Sequence, residues 1–335
     1  MRYVGAFLLL VLCLGCGAES EMQIIQGQAF GTTYNIQYYS GHQVDQVTNG
    51  IEDVVTQVNA SISTYQPNSL ISAINRGELD TEVDSIFVAV YEWSKRVHQT
   101  TKGYFDPTVG ILRNAYGFGQ DKPLESLSSG ALDSLCIRVG FAQVDLLSNG
   151  RIVKPYPETY LDFNAIGKGY GIDLMGVYLE SLGVTDYLIE LGGEIRVKGF
   201  NVVKQKPWTI GIEAPSEDQN ERIIAKTIAL ENQSMASSGN YRKFRVDEKT
   251  GKRFVHTINP LDCTAQQSNV TSATVLASTC AEADAYATAF MAMGLERSLQ
   301  VLETQKQLSV YLTYIDQQQV TRWYASSSLA KRLGE

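Results

Sequence analysis

One segment near the C-terminus constrains the fold more than any other: residues 279–294 read TCAEADAYATAFMAMG. Thr279 followed by Glu282 predicts a capping box at the start of a helix, and Gly294 predicts its end. Alanine, phenylalanine and methionine occupy most of the helix circumference, so we expect burial on nearly every side rather than along one stripe. The chain must therefore pack other elements around this helix.

Asp284 lies in the middle of this apolar helix, where a carboxylate is costly to bury unless it is paired or bound to a cation. No lysine or arginine follows in the helix before Arg297, so the partner must come from another segment. Thr288, four residues on, lies over the same face and adds a hydroxyl oxygen. Two interpretations stay open: Asp284 caps a neighbouring loop while Thr288 bonds back to its own helix, or both bind a hard cation.

The N-terminus, MRYVGAFLLLVLCLGCG, carries one positive residue and an apolar run too short to span a membrane. It predicts an export signal over residues 1–15, and the Leu-Gly-Cys ending resembles a lipoprotein cleavage box with Cys16 as the lipidated residue. An ordinary secretory signal with an incidental Cys16 is the alternative. We expect a tether over residues 16–28, a folded domain over residues 29–335, and a membrane-anchored protein facing the periplasm, with the inner membrane favoured.

Composition narrows the function classes. The 335 residues are 44% hydrophobic, enough for a large core, and the net charge of -8 argues against nucleic acid as a partner and against a basic membrane patch. Beyond the export segment, Cys136, Cys263 and Cys280 form no CxxC pair and have no neighbouring histidine, which argues against zinc. An exported protein could form one disulfide among these three, and the sequence does not select the pair.

Periodicity predicts helices and strands in separated blocks. The predicted helices cover residues 45–60, 69–76, 84–101, 127–135, 169–182, 279–294 and 295–305. The predicted strands cover residues 29–39, 137–147, 151–154, 187–191, 194–199, 207–213, 224–230, 241–246 and 253–257, followed by a hairpin over 308–315 and 320–326. Such blocks with hairpin-length turns favour an α+β fold, with largely antiparallel sheets flanked by helices in a single globular unit.

A glycine-rich stretch, DFNAIGKGYGID at residues 162–173, places three glycines around Lys168 just before a helix. Backbone N–H groups at such a helix start can approach an anion, and the lysine adds a positive charge. The spacing is neither that of a P-loop nor that of a Rossmann fingerprint. A tight turn in which Gly167 and Gly169 serve packing is the alternative.

Five further blocks combine turn formers with polar or aromatic residues, which suits contacts to a large ligand. They are STYQPNS (63–69), GYFDPTVGIL (103–112), LGGEIRVKG (191–199), SSGNYRKF (237–244) and HTINP (256–260). Each block alone is also explained as a β-turn, and His256 alone as a hydrogen-bonded histidine at a strand end.

Eight motifs resemble, in sequence and in order, those of the FAD:protein FMN transferases, the ApbE-type lipoproteins. They are GTTY, the STYQPNS block with Tyr65, FDPTVG, DFNAIGKGYGID, LGGEI, SSGNY, HTINP and ADAYAT. The likeness runs from about Phe30 to the last hairpin. It implies an ApbE-like, T-fold-like unit with an FAD cleft, which transfers FMN from FAD to a Ser or Thr hydroxyl of a partner flavoprotein of the respiratory redox type and releases AMP. It also implies Mg²⁺ as a cofactor.

The resemblance assigns roles to particular residues. It implies magnesium ligands at the Ala165 carbonyl and the side chains of Asp284 and Thr288. We expect Lys168 to balance the leaving AMP phosphate, and His256, or secondarily Asp284, to act as general base. The implied FAD contacts are Phe30, Tyr65, Phe105, Asp106, Asp162, Lys168, Ser237, Gly239, Tyr241 and His256. Two positions depart from the family pattern: Phe30 replaces a common Met, and Glu194 replaces a frequent Asn or Asp.

Alternative functions keep much of the same site. Water could replace the acceptor, which would make the protein an FAD hydrolase yielding FMN and AMP. A non-catalytic flavin-binding lipoprotein is a second alternative, and a lipid-anchored scaffold with a structural Asp284 is a third. The presence of Asp284, Thr288 and Lys168 together favours catalysis, since a simple flavin binder does not require a buried metal site.

Overall fold

The computed structural model describes residues 21–78, 80–120, 123–124, 128–214, 223–240, 244–246, 251 and 253–334. Its strands are β1 Met22–Ala29, β2 Thr32–Tyr39, β3 Asp145–Leu146, β4 Ile152–Val153, β5 Tyr187–Leu191, β6 Glu194–Lys198, β7 Trp208–Glu213, β8 Ile224–Leu230, β9 Gln233–Gly239, β10 Phe244–Val246, β11 Arg253–Val255, β12 Val270–Ala277, β13 Ser309–Ile315 and β14 Thr321–Ala325. Its helices are α1 Val44–Ile62, α2 Leu70–Asn75, α3 Ser85–Thr100, α4 Gly110–Tyr116, α5 Ser129–Cys136, α6 Gly167–Ser181, α7 Cys280–Thr304 and α8 Ser327–Leu333.

One eight-stranded sheet organises the molecule, in the order β1-β2-β5-β6-β9-β12-β13-β14. Every neighbouring pair in it is antiparallel. The remaining strands of the described structure form three two-stranded sheets, β3-β4, β7-β8 and β10-β11. The predicted α+β class with largely antiparallel sheet is therefore confirmed.

The two faces of the large sheet bury different elements. Helices α1, α6 and α7 pack on one face, where side chains from β9, β12 and β13 join the largest apolar cluster. The β7-β8 hairpin and α8 cover the opposite face. Because strand residues alternate between faces, Ala236 lies on the side of α7 while Met235 packs with the hairpin.

Helix α7 occupies the centre of the helical layer, against β9, β12, α6 and α3. From Cys280 to Met291 every residue except Thr288 is buried, so the predicted all-round burial is confirmed. Gly294 has φ +75°, which interrupts the helical path where the sequence predicts an end, and the helix then resumes to Thr304. The Thr279 hydroxyl accepts the Glu282 N–H at 3.3 Å, whereas the Glu282 carboxylate bonds to Ser278 and Gln307 instead of closing the capping box.

The predicted strand over residues 29–39 is wrong at its start, because Phe30 and Gly31 form a two-residue turn between β1 and β2. Both residues have positive φ, 51° and 79°, which is typical of the hairpin turn whose twist matches its strands. Strand β1 pairs with β2 along its whole length. Residues 22–28 therefore belong to the fold, and the predicted tether is wrong there. The export signal of residues 1–15 and Cys16 lie outside the described residues.

Several shorter elements also differ from the prediction. Of the predicted strand over residues 137–147, only Asp145–Leu146 is extended, and Phe141–Gln143 form a 3₁₀ turn. Strands β9 and β12 and helices α4 and α8 are not predicted by the periodicity. Within the described part of the chain, no helix is long and apolar enough to cross a membrane.

A disulfide joins Cys136, at the end of α5, to Cys263, with Cα atoms 5.8 Å apart. Cys280 is buried and unpaired. The Cys263 segment also packs with Leu112 and Tyr116 of α4 and with Ile258. The bridge thus fixes the loop that follows His256 against the α4 and α5 layer.

Replacing both Cys136 and Cys263 with serine should lower the free energy of unfolding by about 4 to 5 kcal/mol, since the bridge closes a loop of 127 residues. Urea unfolding without reductant measures the difference. A reductant should bring the wild-type protein to the level of the double variant and leave the variant unchanged. Equal unfolding midpoints for both proteins without reductant would contradict the prediction.

Candidate active site

The N-terminal ends of α6 and α7 meet and cap each other. On α6, the Asp173 carboxylate accepts the N–H groups of Cys280 and Ala281, each at 2.9 Å. On α7, Asp284 Oδ2 accepts the Gly169 N–H at 3.1 Å. The first N–H groups of a helix have no partner within it, so each carboxylate satisfies the start of the other helix. Two positively polarised helix ends are thereby brought together.

Gly169 allows the close contact between these helices. A Cβ atom at this position would lie 2.4 Å from the Cys280 carbonyl oxygen and 2.9 Å from the Ala281 Cα atom. At Gly167 a Cβ would meet only the Ile62 side chain, at 3.2 Å. The packing role suggested for the glycine-rich loop is therefore confirmed at Gly169.

The substitution Gly169→Ala should push α6 and α7 apart and lower the free energy of unfolding by roughly 1 to 3 kcal/mol. Gly130→Ala is the matched control, because Gly130 is an exposed glycine of α5 with nothing within 4 Å of an added Cβ. Thermal unfolding should place the control at or above the wild-type midpoint and Gly169→Ala below it. Equal midpoints for the two variants would contradict the close approach.

Asp284 has one oxygen in a hydrogen bond and one without. The residue is 3% exposed, and within the described structure Oδ1 has no hydrogen-bond partner. Burial raises the pKa of Asp284, with Lys168 and the Gly169 N–H opposing the shift. Asp284 Oδ2 thus caps the start of α6 rather than a loop, so the predicted capping role holds with a different partner, while Oδ1 is available to another ligand.

Thr288 lies one turn after Asp284 and is half-buried. Its hydroxyl lies 3.5 Å from the Ser238 hydroxyl of β9, and among the described residues it makes no bond back to its own helix. That part of the capping interpretation is wrong. The hydroxyls of Thr288 and Ser238 therefore stand beside the helix face that carries Asp284.

Lys168, in the first turn of α6, forms an ion pair with Glu194, the first residue of β6. The Glu194 side chain is 4% exposed and that of Lys168 31%. Burial acts to lower the pKa of Lys168, but Glu194 and Asp284 outweigh it and the pKa is raised. Burial raises the pKa of Glu194 to about 7, with Lys168 opposing the shift and Asp284 reinforcing it. The Lys168 ammonium and the carboxylates of Glu194 and Asp284 therefore lie in the same site.

The carboxylates of Asp106 and Asp162 are held by hydrogen bonds and ion pairs to other groups of the protein. Asp106 accepts the Thr108 N–H at 2.7 Å and the Phe141 N–H at 2.9 Å. Asp162 accepts the Asn164 N–H at 2.8 Å and forms an ion pair with Arg113. Both aspartates are buried, at 7% exposure. Their described contacts hold the FDPTVG loop and the loop that leads into α6.

The three aromatic residues assigned to FAD lie in different surroundings. Tyr65 is 56% exposed and interacts electrostatically with Arg113, whereas Phe105 is 3% exposed in the core. The Phe30 ring lies on α6 at Gly171, where an added Cβ would be 2.3 Å from the ring. Phe30 and Tyr65 therefore remain accessible to a ligand, while Phe105 packs inside.

In the SSGNY block, Ser238 lies beside Thr288 of α7, whereas the predicted Ser237 does not. Ser238 faces α7, whereas Ser237 points to the opposite side of the sheet and lies 2.8 Å from the Thr274 hydroxyl. Strand alternation explains the difference. Gly239 ends β9 and is half-buried, and Tyr241 lies outside the described residues.

His256 follows β11 directly and is half-buried. The next residue, Thr257, donates its hydroxyl hydrogen to Asn240 Oδ1 at 3.0 Å, which ties the HTINP turn to the end of β9. Ala165 lies half-buried in the turn that precedes α6. The turn that carries His256 is therefore fixed to β9, and the turn that carries Ala165 leads into α6. Both β9 and α6 pack against α7.

The donor set of Ala165, Asp284 and Thr288 suits a hard cation. In the part of the chain that is described, no three His, Cys, Asp or Glu side chains group as a metal site would require. A carbonyl, a carboxylate oxygen without a hydrogen bond and a hydroxyl are oxygen ligands of the kind that Mg²⁺ accepts while keeping waters and substrate oxygens. The residues present therefore fit magnesium.

The ApbE family model matches residues 30–312. The chain belongs to the ApbE family. It is 35% identical to the FAD:protein FMN transferase of Haemophilus influenzae over 332 residues, 96% of this chain and 94% of the relative. It is likewise 35% identical to the FAD:protein FMN transferase of Vibrio cholerae, over 95% of each chain. The resemblance inferred from the motifs is therefore confirmed, and the ApbE-family chain is an enzyme of the transferase class.

Solved ApbE structures have the same fold. The flavin transferase ApbE from Vibrio cholerae superposes with a TM-score of 0.84 at 32% identity, covering 94% of this chain and 100% of the other. The apo form of the Pseudomonas stutzeri flavinyl transferase ApbE gives a TM-score of 0.83 at 24% identity, over 95% of this chain and 98% of that one. The latter supports the fold alone, and both agree with the single α+β unit.

Proposed function

We propose that this ApbE-family enzyme is a magnesium-dependent FAD:protein FMN transferase. It moves FMN from FAD to a Ser or Thr hydroxyl of an exported partner flavoprotein and releases AMP. The observation that carries the proposal is Asp284, buried where two helix N-termini meet, with one carboxylate oxygen free of hydrogen bonds in the described structure. The names of the relatives at 35% identity support the flavin substrate.

The charges of the site support a divalent cation. Lys168 contributes one positive charge, and Asp284 and Glu194 contribute two negative charges when ionised. With these charges the buried site has a net negative charge and would repel a pyrophosphate, unless a bound cation made the net charge positive. Ala165, Asp284 and Thr288 would hold the cation. When bound, Mg²⁺ would neutralise pyrophosphate oxygens and help to align donor and acceptor.

The bond changes are those of a phosphoryl transfer. The acceptor oxygen forms a bond to the phosphorus of the FMN half, and the bond from that phosphorus to the bridging oxygen breaks. AMP leaves with the bridging oxygen and its negative charge. Lys168, at the start of α6, places a positive charge and nearby backbone N–H groups where that phosphate can be balanced.

The acceptor hydroxyl must lose a proton, and His256 is our candidate base. Imidazole titrates near neutral pH and can take that proton, whereas Asp284 would already be committed to the cation. The hydrogen bond between Thr257 and Asn240 holds the turn that carries His256. Asp284 remains the second candidate for this role.

The FAD contacts divide into direct and supporting ones. Phe30 and Tyr65 offer accessible rings, and Gly239 offers backbone at the end of β9. Asp106 and Asp162 support the neighbouring loops through the hydrogen bonds described above. Ser238 replaces Ser237 as the serine nearest to Thr288.

We also place the enzyme outside the cytoplasm. The N-terminal sequence supports export and a lipid on Cys16, with the folded domain facing the periplasm and the inner membrane as the favoured anchor site. The acceptor would then be an exported flavoprotein subunit of a respiratory redox complex, carrying a Ser/Thr flavinylation motif.

One assay tests the proposed function. Detergent-solubilised full-length protein is incubated with FAD, Mg²⁺ and an acceptor protein carrying a Ser or Thr flavinylation motif, and acceptor fluorescence in the gel and AMP are measured. Equal amounts of labelled acceptor and AMP, both lost with EDTA, are the expected result. AMP without labelled acceptor would identify an FAD hydrolase. Bound but intact FAD would identify a flavin-binding protein.

A further inference from the structure

Glu194 is an unusual carboxylate because one of its oxygens is buried without a partner. The turn at Gly192 and Gly193, with φ of 60° and 105°, places Glu194 beneath the start of α6. Its Oε1 pairs with Lys168, whereas Oε2 is buried and makes no hydrogen bond within the described structure. A buried oxygen without a partner is unfavourable, so a role beyond folding is expected for it.

Two buried carboxylates, those of Glu194 and Asp284, can pair with Lys168. Its ammonium interacts electrostatically with Glu194 and with Asp284, and the structure shows it paired with Glu194. A lysine ammonium on its flexible stem can reorient readily. Without the Glu194 charge, Asp284 would be the remaining carboxylate for Lys168, and the ammonium would then compete with a cation for Asp284.

We propose that Glu194 is a positioning residue that keeps Lys168 away from Asp284 and makes FAD binding depend on the cation. This inference rests on the proposed function. When Glu194 and Asp284 are both ionised, the metal-free site carries one more negative than positive charge, which attracts a cation and repels the pyrophosphate. The cation must therefore bind before FAD or together with it.

The substitution Glu194→Gln tests this in two binding measurements that do not use turnover. Mn²⁺ binding to full-length protein without FAD, followed by electron paramagnetic resonance, should weaken by about 10- to 100-fold. FAD binding in EDTA, followed by flavin fluorescence, should tighten by about tenfold because Lys168 is no longer neutralised. The two affinities are thus expected to change in opposite directions.

Two variants separate charge from shape. Glu194→Asp keeps the charge and should stay near wild type in both measurements. Glu190 lies in β5 just before the same turn and accepts the Gly193 N–H at 2.9 Å, so Glu190→Gln should leave both affinities unchanged. A purely structural role for Glu194 would weaken both affinities in Glu194→Gln together with the thermal midpoint, and this would overturn the inference.

Failure of the inference differs from failure of the proposed function. If wild-type protein binds Mn²⁺ and Glu194→Gln matches it in both affinities, only the role of Glu194 is wrong. If wild-type protein binds no Mn²⁺ at all, the proposed metal site and the inference built on it both fail.

Discussion

Replacing Asp284 with alanine or asparagine should abolish FMN transfer while the protein remains folded. The alanine variant removes both carboxylate oxygens, including the one that accepts the Gly169 N–H. The asparagine variant keeps an acceptor for that N–H and removes the charge. Because a cation at a phosphoryl centre supplies several kcal/mol, we expect kcat/KM to fall by about 10³-fold or more in both variants.

Glu282→Gln is the matched control for Asp284. Glu282 is a buried carboxylate on the same helix, at 6% exposure, and its hydrogen bonds go to Ser278 and Gln307 rather than to α6. Its kcat/KM should remain near wild type. If Asp284→Asn retained wild-type kcat/KM, the metal assignment would be refuted and Asp284 would be a helix cap only.

Replacing Asp173 with alanine should lower the free energy of unfolding by about 3 to 5 kcal/mol. The Asp173 carboxylate pairs with Arg196, at 2.6 Å, and accepts two N–H groups at the start of α7. The substitution leaves the half-buried Arg196 guanidinium with fewer partners. It leaves the buried N–H groups of Cys280 and Ala281 without an acceptor. Urea unfolding measures the effect.

Glu78→Ala provides the comparison for Asp173→Ala. The pair between Arg76 and Glu78 is also an arginine–carboxylate pair, but its side chains are 50% and 55% exposed. Its removal should cost no more than about 1 kcal/mol. Similar losses for Glu78→Ala and Asp173→Ala would show that Asp173 does not hold the two helices together.

Long, strongly patterned elements were predictable from the sequence. Helices α1 and α3 repeat apolar residues at helical spacing, and α7 has a capping threonine and apolar residues around most of its circumference. Strands β5 and β8 match their predicted bounds. The central strands β9 and β12 were missed for a physical reason. Strand β9 reads QSMASSG, with small and polar residues in place of branched ones, and β12 is buried along nearly its whole length, so neither alternates clearly.

The site was predictable only in part. Burial of Asp284 follows from its apolar helix, but its contact with Gly169 joins residues 115 positions apart. The pairing of Lys168 with Glu194 spans 26 positions, and Glu194 stood out in the sequence only as a departure from the family pattern. Whether Ser237 or Ser238 faces α7 depends on which side of the sheet each residue of β9 points to, and the sequence did not predict β9. Three cysteines allow three pairings, and spacing alone did not select Cys136 with Cys263.

The most direct test of the central claim is an anomalous diffraction map from crystals soaked with Mn²⁺ and FAD. We expect a metal peak about 2.1 to 2.3 Å from Asp284 Oδ1, beside the Thr288 hydroxyl and the Ala165 carbonyl, with the FAD pyrophosphate on its open side. FAD bound with no anomalous peak at Asp284, or with Lys168 in its place, would contradict the account.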